Sequence, residues 1–252
     1  MIKNKKLFII NIISLMLIVG MDIVYMLFHN LGDLENILIK STTSGLFVVT
    51  GIINYIFAIK VGFKEKRFSR FAICMLMGLV FAMLGDIALE YKFDIGAGLF
   101  ALGHVMFLIS YICLKKINWK DIMFASIIIA LVMLLIFLYD SFRFSTFDLI
   151  VVVVYAIIIS CMLGKSVGNM FDKNQSRFAK LWIFIGSLFF FLSDLFLLFA
   201  FFARLGKIFS ILCLSFYYPA EWILATSIYY SSRETSKLIN KKDLNAKQLD
   251  VV

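Results

Sequence analysis

The sequence predicts an all-α membrane protein: one integral domain, a bundle of about eight transmembrane helices, with both termini cytoplasmic. Three observations carry that expectation. The 252-residue chain is 62% hydrophobic and only 16% charged, whereas soluble domains are about 45–50% apolar and about 25% charged. Its mean hydropathy is +0.97. Its Lys and Arg residues fall between apolar runs, each run close to the length of about 20 residues that crosses a bilayer as a helix.

The apolar runs cover residues 7–28, 37–59, 70–91, 96–114, 121–139, 146–164, 180–203 and 208–230. The first follows Lys3, Lys5 and Lys6. A signal peptide starts in the same way, but this run is long and no A-x-A-like site follows, so it reads as a retained helix. The second, third and fourth are interrupted by polar residues. The fifth and sixth supply no candidate site group. The seventh and eighth carry Asp194 and Glu221, and Pro219 inside the eighth predicts a kink. Residues 231–252 are polar and read as a cytoplasmic tail.

Charge placement supports this layout. With the N-terminus inside, 20 Lys and Arg residues fall in cytoplasmic segments, clustered around 3–6, 60–70, 115–120, 165–180 and 233–247. Only 4, Lys92, Arg143, Arg204 and Lys207, fall outside. That asymmetry is the positive-inside pattern, and it requires an even number of crossings. It also explains the net charge of +9 without a nucleic-acid partner. Cys74, Cys113, Cys161 and Cys213 stand singly within apolar runs and behave as small hydrophobes rather than as disulfides or metal ligands.

Ionisable groups within membrane spans are costly, so they mark function by default. Here they are Asp22, Lys40, Asp86, Glu90, His104, Asp194 and Glu221. At the rise of a helix, Lys40 lies about 5 Å from the outer end of its span, Asp86 about 8 Å, His104 about 12 Å, Asp194 about 13 Å and Glu221 about 20 Å. The set favours the outer half of the membrane. Asp22 reads as a packing or capping group, and Glu90, near a helix end, as a solvated one. Lys40 either snorkels to the interface or binds an anion. His104 is either an interhelical contact or a proton relay. Asp86 and Asp194, each after a small residue deep in an apolar helix, are the candidate catalytic pair. Tyr217 and Tyr218 stand within one turn of Glu221, where a phenol could hold its carboxylate. The sequence contains no Gly-rich phosphate loop, H-E-x-x-H or G-x-S-x-G.

These residues fall in segments that resemble the YhhN family of membrane proteins. Lys40-Ser41-Thr42-Thr43 resembles its K-P/x-x-T segment, and Gly85-Asp86-Ile87-Ala88-Leu89 its G-D-x-x-L. Phe93, Gly98, Phe100, His104 and Tyr111 resemble an F…G-x-x-F-x-x-x-H-x-x-Y stretch, with slightly altered spacing. Ser193-Asp194-Leu195-Phe196-Leu197 resembles S-D-x-x-L, and Tyr217-Tyr218-Pro219-Ala220-Glu221 resembles Y-Y-x-A-Q/E. The departures are Pro219 and the Glu221 that stands where many members have Gln. The resemblance runs from about residue 37 to 228. It implies an eight-helix hydrolase of lysoplasmalogens that releases a fatty aldehyde and glycerophospho-ethanolamine or -choline.

Vinyl ether hydrolysis suits the residues. It needs a carboxylic acid that protonates carbon and a carboxylate that steadies the resulting cation and activates water, a division of labour also used by glycosidases. The expected roles are therefore Asp86 and Asp194 as acid and base with His104 assisting, and Lys40, Tyr217, Tyr218 and Glu221 contacting a single-chain lysophospholipid. No cofactor is required. Two rivals remain at this stage. One is a metal-dependent intramembrane hydrolase using Asp86, His104, Asp194 and Glu221, weakened because only one of the two histidines lies in a span, His29 being at a helix end. The other is a lipid transporter or binding protein, although no internal repeat supports it.

Overall fold

A long apolar run in hydrocarbon can satisfy its backbone only from within, so it folds as a helix. The computed structural model describes residues 4–28, 33–60, 66–172, 175–203, 205 and 207–249. Within them lie eight helices long and apolar enough to cross a membrane. They are α1 (Lys5–Phe28), α2 (Asp33–Lys60), α3 (Lys66–Leu89), α4 (Phe93–Leu114), α5 (Trp119–Leu138), α6 (Thr146–Asn169), α7 (Arg177–Leu198) and α8 (Lys207–Leu249). A π-helical turn, Phe199–Ala203, prolongs α7. No strand occurs among the described residues. His29, most of the basic segment 60–66 and residues 250–252 lie outside them.

The helices match the predicted spans to within a few residues, except at two ends. α6 runs to Asn169, five residues past the expected 164. Its extra turn carries Lys165, which donates to Asp121 Oδ2 at 2.7 Å and to the Lys116 carbonyl at 3.3 Å. Lysine is a good helix former, so the helix outlasts the apolar run. Asp121 also serves a capping box with Asn118 that starts α5. The segment 231–252, expected to be a tail, continues α8 as helix to Leu249. Pro219 stands inside α8, which stays helical on both sides of it.

Chain order is not packing order. α2, α3, α4, α6, α7 and α8 form a closed ring, each packed on the next and α8 back on α2. α1 lies against α2 and α8, and α5 packs on α6 alone. An amide pair joins α1 to α2, with Asn54 Nδ2 donating to Asn11 Oδ1 at 2.9 Å and Asn11 Nδ2 to Asn54 Oδ1 at 3.3 Å. The most buried stretch is on α8, where Ala220, Leu224, Ala225 and Ile228 are fully enclosed. The opposite surfaces are apolar too: Leu27, Trp119, Leu131, Phe137 and Leu138 are exposed. Such faces suit a lipid solvent.

Small residues let the helices approach closely, the usual device where lipid removes a hydrophobic drive between helices. Phe107 of α4 fills the space beside Gly78, and Phe100 the space beside Gly85. At the α5–α6 contact, a Cβ on Gly164 would lie 2.5 Å from the backbone N and Cα of Ala125. Backbone cannot swing aside as a side chain does. Gly164→Ala is therefore expected to cost about 1–3 kcal/mol, as overpacking does, and to lower the thermal midpoint in detergent by several degrees. Gly20→Ala, on an exposed face with nothing within 4 Å of the new methyl, should leave that midpoint unchanged or raise it, because alanine favours helix.

Candidate functional site

One end of the ring, where α3 and α7 finish and α2, α4 and α8 begin, gathers a cluster of ionisable and hydroxyl side chains. Two of the contributing helices offer side chains at i and i+4, which share a face: Lys40 and Ser44 on α2, and Phe100 and His104 on α4. Asp86 comes from α3 and Glu90 from the turn that ends it. α6, α7 and α8 add Tyr155, Asp194 and Tyr217. All six members of the ring thus reach the same region.

Two carboxylates anchor it. Asp86 is 3% exposed, and its Oδ2 accepts hydrogen bonds from Ser44 Oγ and from the Tyr217 hydroxyl at 2.8 Å. Asp194 Oδ2 accepts from the Tyr155 hydroxyl at 2.7 Å and contacts His104 Nε2 at 3.0 Å. Tyr155 and His104 also touch each other, hydroxyl to Nε2, at 2.8 Å. With the phenol proton directed to the carboxylate, the arrangement requires a proton on Nε2, also directed to Oδ2. His104 Nδ1 is buried with no hydrogen-bond partner among the described residues.

Aromatic rings hold these groups in place. Phe190 meets the His104 ring edge-on at 4.5 Å and the Tyr217 ring at 5.4 Å, and so links the two carboxylate clusters. Phe100 packs on Tyr217 at 5.7 Å. These rings exclude water from one side of the carboxylates and fix the rotamers of the donors.

On the other side lies a cavity of about 370 Å³ lined by both Asp86 and Asp194. Its mouth carries Tyr25, Lys40, Glu90 and Lys207. Lys40 forms an ion pair with Glu90, and its ammonium lies 5.1 Å from the centre of the Tyr25 ring. A narrower cleft of about 70 Å³ adjoins it and shares Leu89, Phe100, Asp194 and Leu197. Val132, Ile136, Val152 and Ala156 line that cleft, which is almost wholly apolar. Asp194 therefore stands where a chamber that carries charged groups meets an almost wholly apolar one.

The structure brings together Lys40, Asp86, Asp194 and Tyr217 on the cavity, with His104 one contact behind through Asp194. It does not bring Tyr218 or Glu221 to the cavity surface. Tyr218 is buried with its ring 4.9 Å from that of Tyr217. Glu221 is fully enclosed, and neither of its oxygens has a hydrogen bond among the described residues. The Tyr217 phenol goes to Asp86 rather than to Glu221. Glu90, expected to be solvated, is paired with Lys40 at the mouth. Among the described residues no three His, Cys, Asp or Glu side chains cluster so as to hold a metal ion.

Sequence reasoning missed Ser44 and Tyr155. Ser44 carried a signal, since it lies one turn from Lys40 on the same face. Tyr155 carried a weaker one: it breaks the aliphatic run 149–159, yet only the packing of α6 beside α4 makes it a partner of Asp194.

The family model of the YhhN family matches residues 35–228, most of the chain. No curated protein and no solved structure matches it.

The shared acceptor on Asp86 gives a test of the geometry. Removing one donor leaves the other, so Ser44→Ala and Tyr217→Phe should each cost about 0.6–1.7 kcal/mol, the range for hydrogen bonds within membranes. The double variant leaves a buried carboxylate with neither donor and should lose more than the sum, by about 1 kcal/mol or more. A double-mutant cycle on unfolding in detergent reads the excess.

Proposed function

This chain belongs to the YhhN family, and we propose that it is a membrane-embedded hydrolase that cleaves the vinyl ether bond of a lysoplasmalogen. The products are a fatty aldehyde and a glycerophospho-alcohol. The observation that carries the reading is the position of Asp194, shared by a cavity that carries Lys40, Asp86, Glu90 and Lys207 and by an apolar cleft. A single-chain lipid has the same division. Its head group meets the charged side chains of the larger cavity, its chain enters the cleft, and the vinyl ether between them lies at the carboxylates.

The chemistry follows from that placement. One carboxyl of the Asp86–Asp194 pair delivers its proton to the β-carbon of the double bond. The α-carbon then carries an oxocarbenium ion, which the other carboxylate stabilises across a water-poor space. Water adds to the α-carbon and gives up a proton to a carboxylate. The hemiacetal loses its glycerol oxygen as an alcohol, and the aldehyde leaves. One water is consumed and each carboxyl regains its starting state. Tyr155 and His104 hold Asp194 in one rotamer, and Ser44 and Tyr217 do the same for Asp86. Donors already aimed at the carboxylates need no reorganisation during reaction. The clustering of basic residues in alternate connections supports an outer-side location for this end of the ring.

Purified protein in detergent or nanodiscs, incubated with a lysoplasmenyl lipid and an aldehyde trap, tests the reading. Wild type should release aldehyde. Asp86→Asn and Asp194→Asn, with thermal midpoints near wild type, should each lose about 100-fold or more in rate, the usual scale for general acid–base groups. Near-normal turnover in either variant would show the carboxylate pair is not the catalyst. Binding of the lipid without turnover by wild type would favour a lipid-binding or transport role.

A further inference from the structure

We propose that Tyr25, Glu90 and Lys40 form a subsite at the cavity mouth that selects a zwitterionic head group, its ammonium on Glu90 and Tyr25 and its phosphate on Lys40. The proposal rests on the preceding reading for one premise, that a single-chain phospholipid enters the cavity.

The subsite already takes an ammonium. Lys40 Nζ is paired with the Glu90 carboxylate and lies 5.1 Å from the centre of the Tyr25 ring. The Tyr25 hydroxyl faces Glu90 Oε1 at 3.5 Å. A carboxylate beside an aromatic ring is the combination that holds organic cations. The pair is poorly hydrated, with side chains 12% and 19% exposed, so breaking it without replacement leaves an uncompensated charge. A head group that is only anionic would draw Lys40 to its phosphate and strand Glu90. A zwitterion exchanges partners instead, because its own ammonium replaces that of Lys40. Lys207, from the start of α8, lines the same cavity and adds a second cation for the phosphate.

The register agrees. Glu90 follows Asp86 by four residues, in the turn that ends α3, and so stands nearer that end of the ring than Asp86 does. A head group fixed at Glu90 therefore leaves the bond nearer the chain beside Asp86. The pairing also explains why an acidic residue stands at this mouth at all, next to two lysines that would bind phosphate better without it.

Binding separates this proposal from hydrolysis. Lysophosphatidylcholine and lysophosphatidylglycerol with the same acyl chain lack the vinyl ether, so their dissociation constants can be titrated against nanodisc-embedded protein without turnover. Wild type should prefer the choline lipid by about tenfold, the scale of a desolvated cation–π and ion-pair contact, because a quaternary ammonium has no N–H to donate. Glu90→Gln should erase the preference, and Glu90→Asp, which keeps the charge, should retain most of it. Equal affinities in wild type, or the same preference in Glu90→Gln as in wild type, would overturn the subsite. A preference that depends on Glu90, in a protein that releases no aldehyde from a lysoplasmenyl lipid, would uphold the subsite and refute the hydrolase reading.

Discussion

Two of the carboxyl groups within the spans, Asp86 and Asp194, are met by donors from neighbouring helices, and the rest of this structure is arranged around them. Asp86 on α3 and Asp194 on α7 each draw a pair of hydrogen-bonding partners from other helices: Ser44 of α2 and Tyr217 of α8 for the first, His104 of α4 and Tyr155 of α6 for the second. Those six helices are also the six of the closed ring. Satisfying the carboxylates and closing the ring are thus one structural event. A carboxylate left without donors at this depth would cost several kcal/mol, more than most membrane helix contacts return.

The ring encloses its polar groups by bringing backbones close on the other side. Gly78 and Gly85 let α4 press the rings of Phe107 and Phe100 against α3. Phe100 then does two things: it lines both chambers and packs against Tyr217, the donor to Asp86. α5 stands outside the ring, held by α6 alone, yet Val132 and Ile136 on its inner face line the apolar cleft. The cleft is therefore bounded on one side by a peripheral helix, which is where a chain entering from the bilayer would pass.

Much of this was legible in the sequence because the membrane makes errors expensive. Eight apolar runs could fold only as helices, and Asp86 and Asp194 stood out because an acid in such a run needs a reason. What the sequence did not carry was neighbourhood. Nothing in the order of the runs says that α4 packs on α6 rather than α5, and without that contact Tyr155 is simply an aromatic residue in an aliphatic stretch. The same gap hid the partners of charge: Glu90 read as solvated because its mate lies 50 positions away at Lys40, and Lys165 read as a loop charge because its partner, Asp121, stands on another helix. Glu221 shows the reverse. Its cost was visible, but its spacing from Tyr217 and Tyr218 suggested a partner that the phenol of Tyr217 gives instead to Asp86.

The account turns on a carboxyl proton reaching carbon, which is the step that separates vinyl ether hydrolysis from ester or phosphodiester cleavage. Carrying out the reaction in D2O with reconstituted wild-type protein, reducing the aldehyde in place with borohydride and reading the alcohol by mass spectrometry, follows that step directly. One deuterium on the carbon adjacent to the former carbonyl is the predicted result. An aldehyde released without deuterium at that carbon, or a lipid left uncleaved, would contradict it.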